Sequence, residues 1–328
     1  MKRNIWQALI RPSTIEFYQE GKRTPGFTFY DFVHGYVYGR WPYLYIGIGT
    51  GEHFLAKTLG PLYMFINEFL AVLNMMNSKL GANGGAASMD EESKVAFADT
   101  YHGKVVPLAS ATRLVSVNED IKLKNLEKVI PYTKARDIIL QNPDHILALE
   151  CPCRSARENP CLPLDVCLII GDPFANFIET HHPNRARRIT QREAAEILKA
   201  ENQRGHVHHA FFKDAILGRF YAICNCCACC CGAMQAHQNG TPMLAASGYV
   251  SQVEADLCIA CEDCVDTCQF GAISINDYHA MVNEQECMGC GVCESICVQG
   301  AHTLMRAPAK GEPLEITELI QAFESKLH

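Results

Sequence analysis

The chain has 328 residues and a net charge of −7, which suits a globular protein of two or three domains. No lysine- and arginine-rich stretch of the kind that follows phosphates occurs, which excludes a nucleic-acid binder. No run of about eighteen uncharged apolar residues occurs, so we expect no transmembrane segment. All eighteen cysteines lie between Cys151 and Cys297. No apolar export signal follows Met1–Gln7, so we interpret them as metal ligands in a reducing cytoplasm of an anaerobe rather than as disulfides.

Residues 1–103 contain no cysteine and are rich in aromatic side chains, with sixteen of the chain's twenty-nine before residue 71. Pro61 opens a predicted helix, Leu62–Leu80, that is apolar on most sides. Such a helix is usually buried in a core, although a partner-docking or membrane-surface helix is the alternative. Gly81–Gly85 is a break, and no Gly-Lys-Ser/Thr follows it to make a phosphate-binding loop.

The pattern changes at Lys104, where a cysteine-rich module of residues 104–240 is expected to begin. Short strands are predicted at Lys104–Leu108 and Thr112–Val117. A helix with proline in its first turn is predicted over Pro131–Gln141. A strand over His145–Glu150 should end at the first cysteine.

A second helix is predicted to run from Thr190 to Gln203. Thr190 and Glu193 form a capping-box pattern at its start, and Gly205 stops it. Residues 241–248 resemble a linker to the next domain. Residues 307–328 should carry a terminal helix, Leu314–Leu327.

The middle module holds ten cysteines, too many to leave without partners. Cys151 and Cys153 flank one residue, so both sulfurs can face one side of a strand. Adjacent thiols such as Cys226 and Cys227 cannot easily bind the same face of a metal cube, which predicts a second metal or free thiols. The candidate additional ligands are Cys151, Cys153, Cys161, Cys167, Cys224, Cys226, Cys227 and Cys229.

Three interpretations of these thiols are open. We favour one or two further 4Fe–4S clusters, since soft thiolates select iron–sulfur or zinc. A structural zinc ion is the second, and reactive thiols activated by Arg154 and Arg157 are the third. His206, His208 and His209 could bind metal, but we interpret them as ordinary histidines in a turn after a helix.

The most informative pattern is one cysteine run that occurs twice, 29 residues apart. Three thiolates at i, i+3 and i+6 fit a loop around an iron–sulfur cube, whereas zinc sites usually use separated Cys-x-x-Cys pairs. We expect a short helix to begin at the fourth cysteine of each run and a short strand to follow that helix, the strands being Gly271–Ile275 and Gly300–Leu304. The two runs are Cys258-x-x-Cys261-x-x-Cys264-x-x-x-Cys268 and Cys287-x-x-Cys290-x-x-Cys293-x-x-x-Cys297.

Residues 249–306 resemble the bacterial-type ferredoxin with two 4Fe–4S clusters. In that family the fourth cysteine of each run binds the other cluster. The resemblance thus implies one cluster on Cys258, Cys261, Cys264 and Cys297, and another on Cys287, Cys290, Cys293 and Cys268. Gln269 and Val298 stand where the family has proline, which adds backbone N–H donors near sulfur and predicts shifted potentials.

A wider segment, residues 131–305, resembles a family of uncharacterised 4Fe–4S dicluster proteins from anaerobic bacteria. The resemblance rests on a Cys-Pro-Cys-Arg motif at 151–154, an Ile-Cys-Asn-Cys-Cys motif at 223–227 and the segments between them. It implies electron transfer and no particular substrate. Cys230-Cys231-Gly232 is similar to the motif of noncubane clusters in heterodisulfide reductases, but the flanking spacing does not match.

Residues 249–299 contain nine acidic residues and no lysine or arginine. We therefore expect a redox protein partner with a basic docking patch and salt-sensitive association.

We expect an α+β protein with a C-terminal two-cluster ferredoxin-like domain, a cysteine-rich mixed α/β middle module and a mainly helical, aromatic-rich N-terminal region. Its expected function is to relay single electrons between a low-potential donor and an oxidoreductase partner, in the cytoplasm, as one subunit of a larger complex. The alternatives are an oxidoreductase that reacts at the middle module, or a zinc-stabilised docking subunit. The sequence has no dinucleotide-binding fingerprint and no P-loop to favour an enzyme.

Overall fold

The computed structural model describes residues 10–53 and 91–325. The predicted helix at 62–80 and the break at 81–85 lie outside these ranges. Within them, no helix is both long and apolar enough to cross a membrane.

The described chain contains helices and strands in mixed order. The helices are α1 (Pro12–Arg23), α2 (Phe29–Arg40), α3 (Pro42–Gly49), α4 (Glu91–Thr100), α5 (Leu108–Val115), α6 (Pro152–Ser155), α7 (Phe174–His181), α8 (Gln191–Gln203), α9 (Gly232–Gln238), α10 (Asp263–Thr267), α11 (Val292–Ile296) and α12 (Ile316–Glu324). The strands are β1 (Tyr101–Val105), β2 (Ile121–Leu123), β3 (Ile138–Glu150), β4 (Asp165–Asp172), β5 (Ala186–Ile189), β6 (Val207–Lys213), β7 (Arg219–Cys226), β8 (Leu244–Ala245), β9 (Tyr249–Val253), β10 (Ile273–Ile275), β11 (Ala280–Val282) and β12 (His302–Arg306).

Eight strands form one sheet in the order β2-β3-β4-β7-β6-β1-β8, with β5 paired to β3. Its pairs are antiparallel except for the parallel pair β1–β8. Because β3, β4 and β7 are neighbours, the carboxyl ends of β3 and β7 meet the start of β4. Leu149 pairs with Cys167 in this register, and Leu168 pairs with Ile223. The sheet therefore brings cysteines from distant parts of the chain to one edge.

Side chains alternate between two cores on the two faces of this sheet, as a strand's two-residue period requires. Leu147 and Leu149 belong to the core that α1, α2 and α7 cover, together with Phe17 and Phe177. Ile146 and Ala148 belong to the opposite core, which α5, α8 and α12 cover. Most of the N-terminal aromatics that the structure describes serve the first core, although Phe29 and Tyr30 are exposed.

Two predicted elements of the middle module are wrong. The predicted strand Thr112–Val117 falls mostly in helix α5, where the buried residues Ser110, Ala111, Leu114 and Val115 follow a helical period. Pro107 precedes the helix, so the predicted strand from Lys104 ends at Val105.

The predicted helix Pro131–Gln141 is instead a turn that leads into β3. Ala135 has a positive φ of 50°, which breaks any helix there, and Ile138 and Leu140 are buried with one residue between them. The predicted strand at 145–150 is confirmed as the second half of β3.

The predicted helix after Thr190 is confirmed. The Glu193 N–H donates to Thr190 Oγ1 at 3.2 Å, and Gly205 follows the helix with φ of +81°. The terminal helix is confirmed as α12. The expected linker at 241–248 is not free, because β8 pairs with β1 at the sheet edge.

The segment that follows repeats its own backbone at a spacing of 29 residues. Ala260 and Gly289 both have positive φ, as do Glu262 and Gly291. At Gly289 a Cβ would lie 2.2 Å from the carbonyl oxygen of Tyr249, so only glycine fits there. The pairs β9–β12 and β10–β11 complete the two halves.

Candidate metal centres

The two cysteine runs of the repeat exchange their fourth members in space. Cys268 lines a small cavity of about 20 Å³ together with Cys287, Cys290 and Cys293. We call these four thiols the inner set. Cys268 thus lies beside the second cysteine run, which begins 19 residues after it in the sequence.

The other four thiols form the outer set, Cys258, Cys261, Cys264 and Cys297. Burial raises the pKa of Cys264, and the neighbouring sulfurs of the other three raise it further. Cys261 is exposed, and its sulfur lies 3.5 Å from a carboxylate oxygen of Asp263. The outer set thus opens to solvent at Cys261.

Backbone N–H groups point at sulfur in both halves of the repeat. Ala272 donates to Cys268 Sγ and Ala301 to Cys297 Sγ, both at 3.3 Å, and Ala280 donates to Cys258 Sγ at 3.4 Å. Donors of this kind stabilise anionic sulfur and tune cluster potential. The arrangement therefore fits thiolates that carry 4Fe–4S clusters.

Gln269, which replaces the family's proline, joins the inner set to the middle module. Its side-chain oxygen accepts a hydrogen bond from the Ala228 N–H at 2.8 Å. Among the described hydrogen bonds, the backbone donor to Cys268 Sγ is Ala272 and not Gln269. Met288 and Val292, which flank Cys290, are buried in the same core as the middle cysteines. The inner set consequently faces the middle module.

Six middle cysteines surround a second cavity, of about 60 Å³. We call them the six-thiol group. Each thiol interacts with the next in the order Cys224, Cys167, Cys151, Cys153, Cys231, Cys226. Cys227 and Cys230 also border the cavity, and the rest of its wall is mainly apolar and aromatic. The neighbouring ends of β3, β4 and β7 supply four of the six, which explains why residues 73 apart in sequence meet.

These buried thiols hold their protons strongly. The hydrogen bond with Cys153, together with burial, raises the pKa of Cys151 to about 12. The hydrogen bond with Cys231 lowers the pKa of Cys226, but burial and the neighbouring sulfurs together outweigh it and raise that pKa to about 12. A thiol of this kind is neutral at pH 7 unless a metal ion replaces its proton, whereas a reactive cysteine needs a lowered pKa.

Arg154 does not serve the thiols as a free positive charge. Its guanidinium is 1% exposed and forms an ion pair with Glu201 at 2.6 Å. It also donates to the carbonyl oxygens of Pro163 and Asn225. Arg157 donates to the carbonyl oxygen of Cys230 and pairs with Glu52. The two arginines hold the cysteine loops in place, and each shares its charge with a carboxylate.

The remaining four middle cysteines form a compact group. The sulfurs of Cys161, Cys227, Cys229 and Cys230 all lie within 4.8 Å of one another. We call this the four-thiol group. Burial raises the pKa of Cys229, but hydrogen bonds from the other three thiols outweigh it and lower that pKa. The adjacent residues Cys226 and Cys227 thus belong to different groups.

Cys230 and Cys231 are not among the additional ligands that the sequence predicts. Cys230 lies in the four-thiol group and Cys231 beside Cys153 and Cys226 in the six-thiol group. The unbroken run Cys229-Cys230-Cys231 is the sequence feature that could have indicated them as ligands. Which group each of these thiols joins depends on the turn after β7. His206 lies 2.7 Å from Glu201, and His208 lies 2.6 Å from Asn225 Oδ1. His208 and His209 are buried in strand β6 rather than in the predicted turn.

Comparison with known proteins identifies the repeat. Residues 257–301 match the family described as the 4Fe–4S dicluster domain. A stretch of 44 residues is 39% identical to a subunit of the ion-translocating oxidoreductase complex of Methanosarcina acetivorans. That stretch is 13% of this chain and 17% of the relative. No solved structure matches the chain. The C-terminal part of this α+β protein is therefore a 4Fe–4S dicluster domain that supports iron–sulfur electron transfer.

Proposed function

We propose that this protein relays single electrons from a low-potential donor to an oxidoreductase partner through a fixed series of iron–sulfur clusters. Bound 4Fe–4S clusters supply the one-electron chemistry, and the outer and inner sets are their proposed ligands. The observation that supports the order is the difference between these sets. The outer set opens to solvent at Cys261, whereas the inner set packs against the core that contains the six-thiol group.

The proposed entry point is the solvent-facing surface around the outer set. All nine acidic side chains of residues 249–299 are exposed. Ile259, Tyr278 and Val298 are also exposed, at 65%, 79% and 91%. Exposed carboxylates together with exposed apolar side chains suit a partner with a basic surface, because complementary charge speeds association.

The proposed interior end is the six-thiol group, as the ligands of a third cluster. Its six soft donors exceed the four that a cube needs, and its apolar wall excludes water. The ion pair of Arg154 and Glu201 holds α6 against α8 beside it. The similarity to a subunit of an ion-translocating oxidoreductase complex supports a place in a larger complex.

Metal analysis and kinetics of anaerobically purified protein test this relay. Three clusters should give about twelve irons per chain, at four irons each. Cys290→Ala should remove the inner cluster, and a small cationic reductant should then reduce the third cluster more slowly than in the parent. Ser274→Ala, which changes an exposed side chain of β10 and no thiol, is the control. Equal reduction rates in Cys290→Ala and the parent would contradict the proposed order.

A second candidate function is an oxidoreductase with its reaction at the six-thiol cavity. The hydroxyls of Tyr38 and Tyr221 lie 2.8 Å apart on the cavity wall, where they could donate a proton to a bound substrate. Reoxidation of the reduced protein by a small substrate, with no protein partner present, would favour this function over the relay.

A further inference from the structure

The four-thiol group is built from two loops. Cys161 comes from the loop between α6 and β4, and the other three come from the loop after β7. That second loop turns sharply, because the N–H groups of Cys230 and Cys231 both donate to the carbonyl oxygen of Cys227. The turn carries the side chains of Cys227, Cys229 and Cys230 to one side, where they meet Cys161.

The spacing of the four sulfurs suits one small ion. Cys161 Sγ lies 3.3 Å from Cys229 Sγ, and Cys229 Sγ lies 3.6 Å from Cys230 Sγ. Zinc binds thiolates at about 2.3 Å in a tetrahedron, which places its sulfurs ~3.8 Å apart. The observed separations, from 3.3 Å to at most 4.8 Å, bracket that value.

A cube would need more room, since its four thiolates bind four different irons around an iron–sulfur core. The same chain provides the comparison in its dicluster domain. Within residues 10–53 and 91–325, no three of that domain's eight thiols come within 4.8 Å of one another. The sulfurs of the cube-binding motif therefore lie farther apart than the sulfurs of the four-thiol group.

The surroundings suit a structural ion. A zinc ion with four thiolates carries a charge of −2, and the Arg157 guanidinium lies beside it through its bonds to the Cys230 carbonyl. Ala228, within the same loop, is held by Gln269 of the dicluster domain. Cys161 and Cys229 are partly to fully exposed, which gives an ion a path from solvent.

We propose that Cys161, Cys227, Cys229 and Cys230 bind a single tetrahedral zinc ion that fastens these two loops and carries no electrons. Each thiol releases its proton to solvent when the ion binds, so four protons leave per zinc. The ion fixes the loop whose Ala228 N–H donates to Gln269, and it thereby fixes the position of the inner set. The site goes beyond the proposed relay and does not depend on it.

The test uses the full chain, purified without oxygen and analysed for zinc and iron. The parent should contain about one zinc per chain, and X-ray absorption at the zinc edge should show four sulfurs at ~2.3 Å. Cys161→Ser should lose the zinc and keep all the iron. Cys261→Ser, which also changes a solvent-accessible thiol, is the matched control and should lose iron but keep zinc.

Three results would overturn the inference. These are loss of iron instead of zinc in Cys161→Ser, a zinc shell with fewer than four sulfurs, and an isolated iron in the Mössbauer spectrum of the parent in place of zinc. If Cys161→Ser does not fold, the absorption spectrum of the parent still decides the question. A failed relay would leave the zinc result unchanged, so the two proposals fail separately.

Discussion

The dicluster domain and the middle module collect their cysteines in different ways. In the dicluster domain, local spacing brings three thiols together within seven residues, and the repeat supplies the fourth. In the middle module, sheet topology does this, because Cys151, Cys167 and Cys224 lie at the ends of neighbouring strands. The first arrangement depends mainly on a loop and the second on the whole sheet. Damage to the sheet should thus affect the middle thiols more than the dicluster domain.

The largest expected effect comes from breaking the ion pair under the middle module. Arg154→Met leaves Glu201 buried without its main counter-charge, and such losses cost about 3–5 kcal/mol. Anaerobic urea denaturation followed by circular dichroism measures this change. Arg154→Met combined with Glu201→Leu should recover most of the stability, because no buried charge is then left unpaired. Arg204, which also pairs with Glu201 at 2.9 Å, is half exposed and stays hydrated. If Arg154→Met lowers the free energy of unfolding by less than about 1 kcal/mol, the ion pair is not needed for stability.

A smaller effect is expected at Gln269, where the two regions meet. Gln269→Leu removes the hydrogen bond to Ala228 and should cost about 1 kcal/mol. It should shift the potential of the inner cluster and leave the outer one unchanged in an EPR-monitored redox titration.

Gln269→Pro is the matched variant, since it removes the backbone N–H as well as the side chain. If that N–H tunes the cluster, as the sequence predicts, proline should shift the potential further than leucine. Equal potentials in the parent and Gln269→Pro would refute that prediction.

The smallest expected effect is a pH dependence confined to the sheet. Nδ1 of His145 lies 2.8 Å from Asp172, a contact that joins β3 to β4. The hydrogen bond with Asp172 raises the pKa of His145. Burial raises the pKa of Asp172, but hydrogen bonds from His145 and Asn142 outweigh it and lower that pKa.

The contribution of His145 is complete below its unfolded pKa of 6.5 and is lost as pH rises through the folded value. The contribution of Asp172 is complete above its unfolded pKa of 3.8 and is lost as pH falls through the folded value. The pair therefore stabilises the folded protein most between pH 3.8 and pH 6.5, the two unfolded pKa values. His145→Gln should destabilise the protein more at pH 6 than at pH 8.5 in thermal unfolding, and an equal loss at both pH values would contradict this.

The sequence predicted elements whose signals are local. The cysteine runs predicted the dicluster loops, and Thr190 with Gly205 bounded α8. The expected helix start at each fourth cysteine is wrong, because α10 and α11 end just before Cys268 and Cys297. Prediction failed where tertiary packing decides, as at residues 112–117, which contain the β-branched Thr112 and Val115 yet largely form α5. Residues 131–137 are a turn because Ala135 adopts positive φ, which no residue type there indicates.

The candidate centres show the same limit. Spacing grouped the first three thiols of each dicluster run, and the family resemblance supplied the exchange of the fourth. Spacing could not show that Cys226 and Cys227 belong to different thiol groups, or to which group Cys231 belongs. Both depend on the order of the strands and on the turn after β7.

The short strand β8 has a mechanical consequence. It ties the connecting segment to β1, where the Gly103 N–H donates to the Met243 carbonyl at 2.9 Å. Four residues later, Ser247 donates to the Met288 carbonyl at 3.0 Å and to the Gly289 carbonyl at 2.7 Å. The connecting segment is thus bonded to the sheet at one end and to the dicluster domain at the other. The dicluster domain is therefore not carried on a flexible linker that would move it between distant electron donors and acceptors. In the proposed relay, a partner must therefore diffuse to this domain.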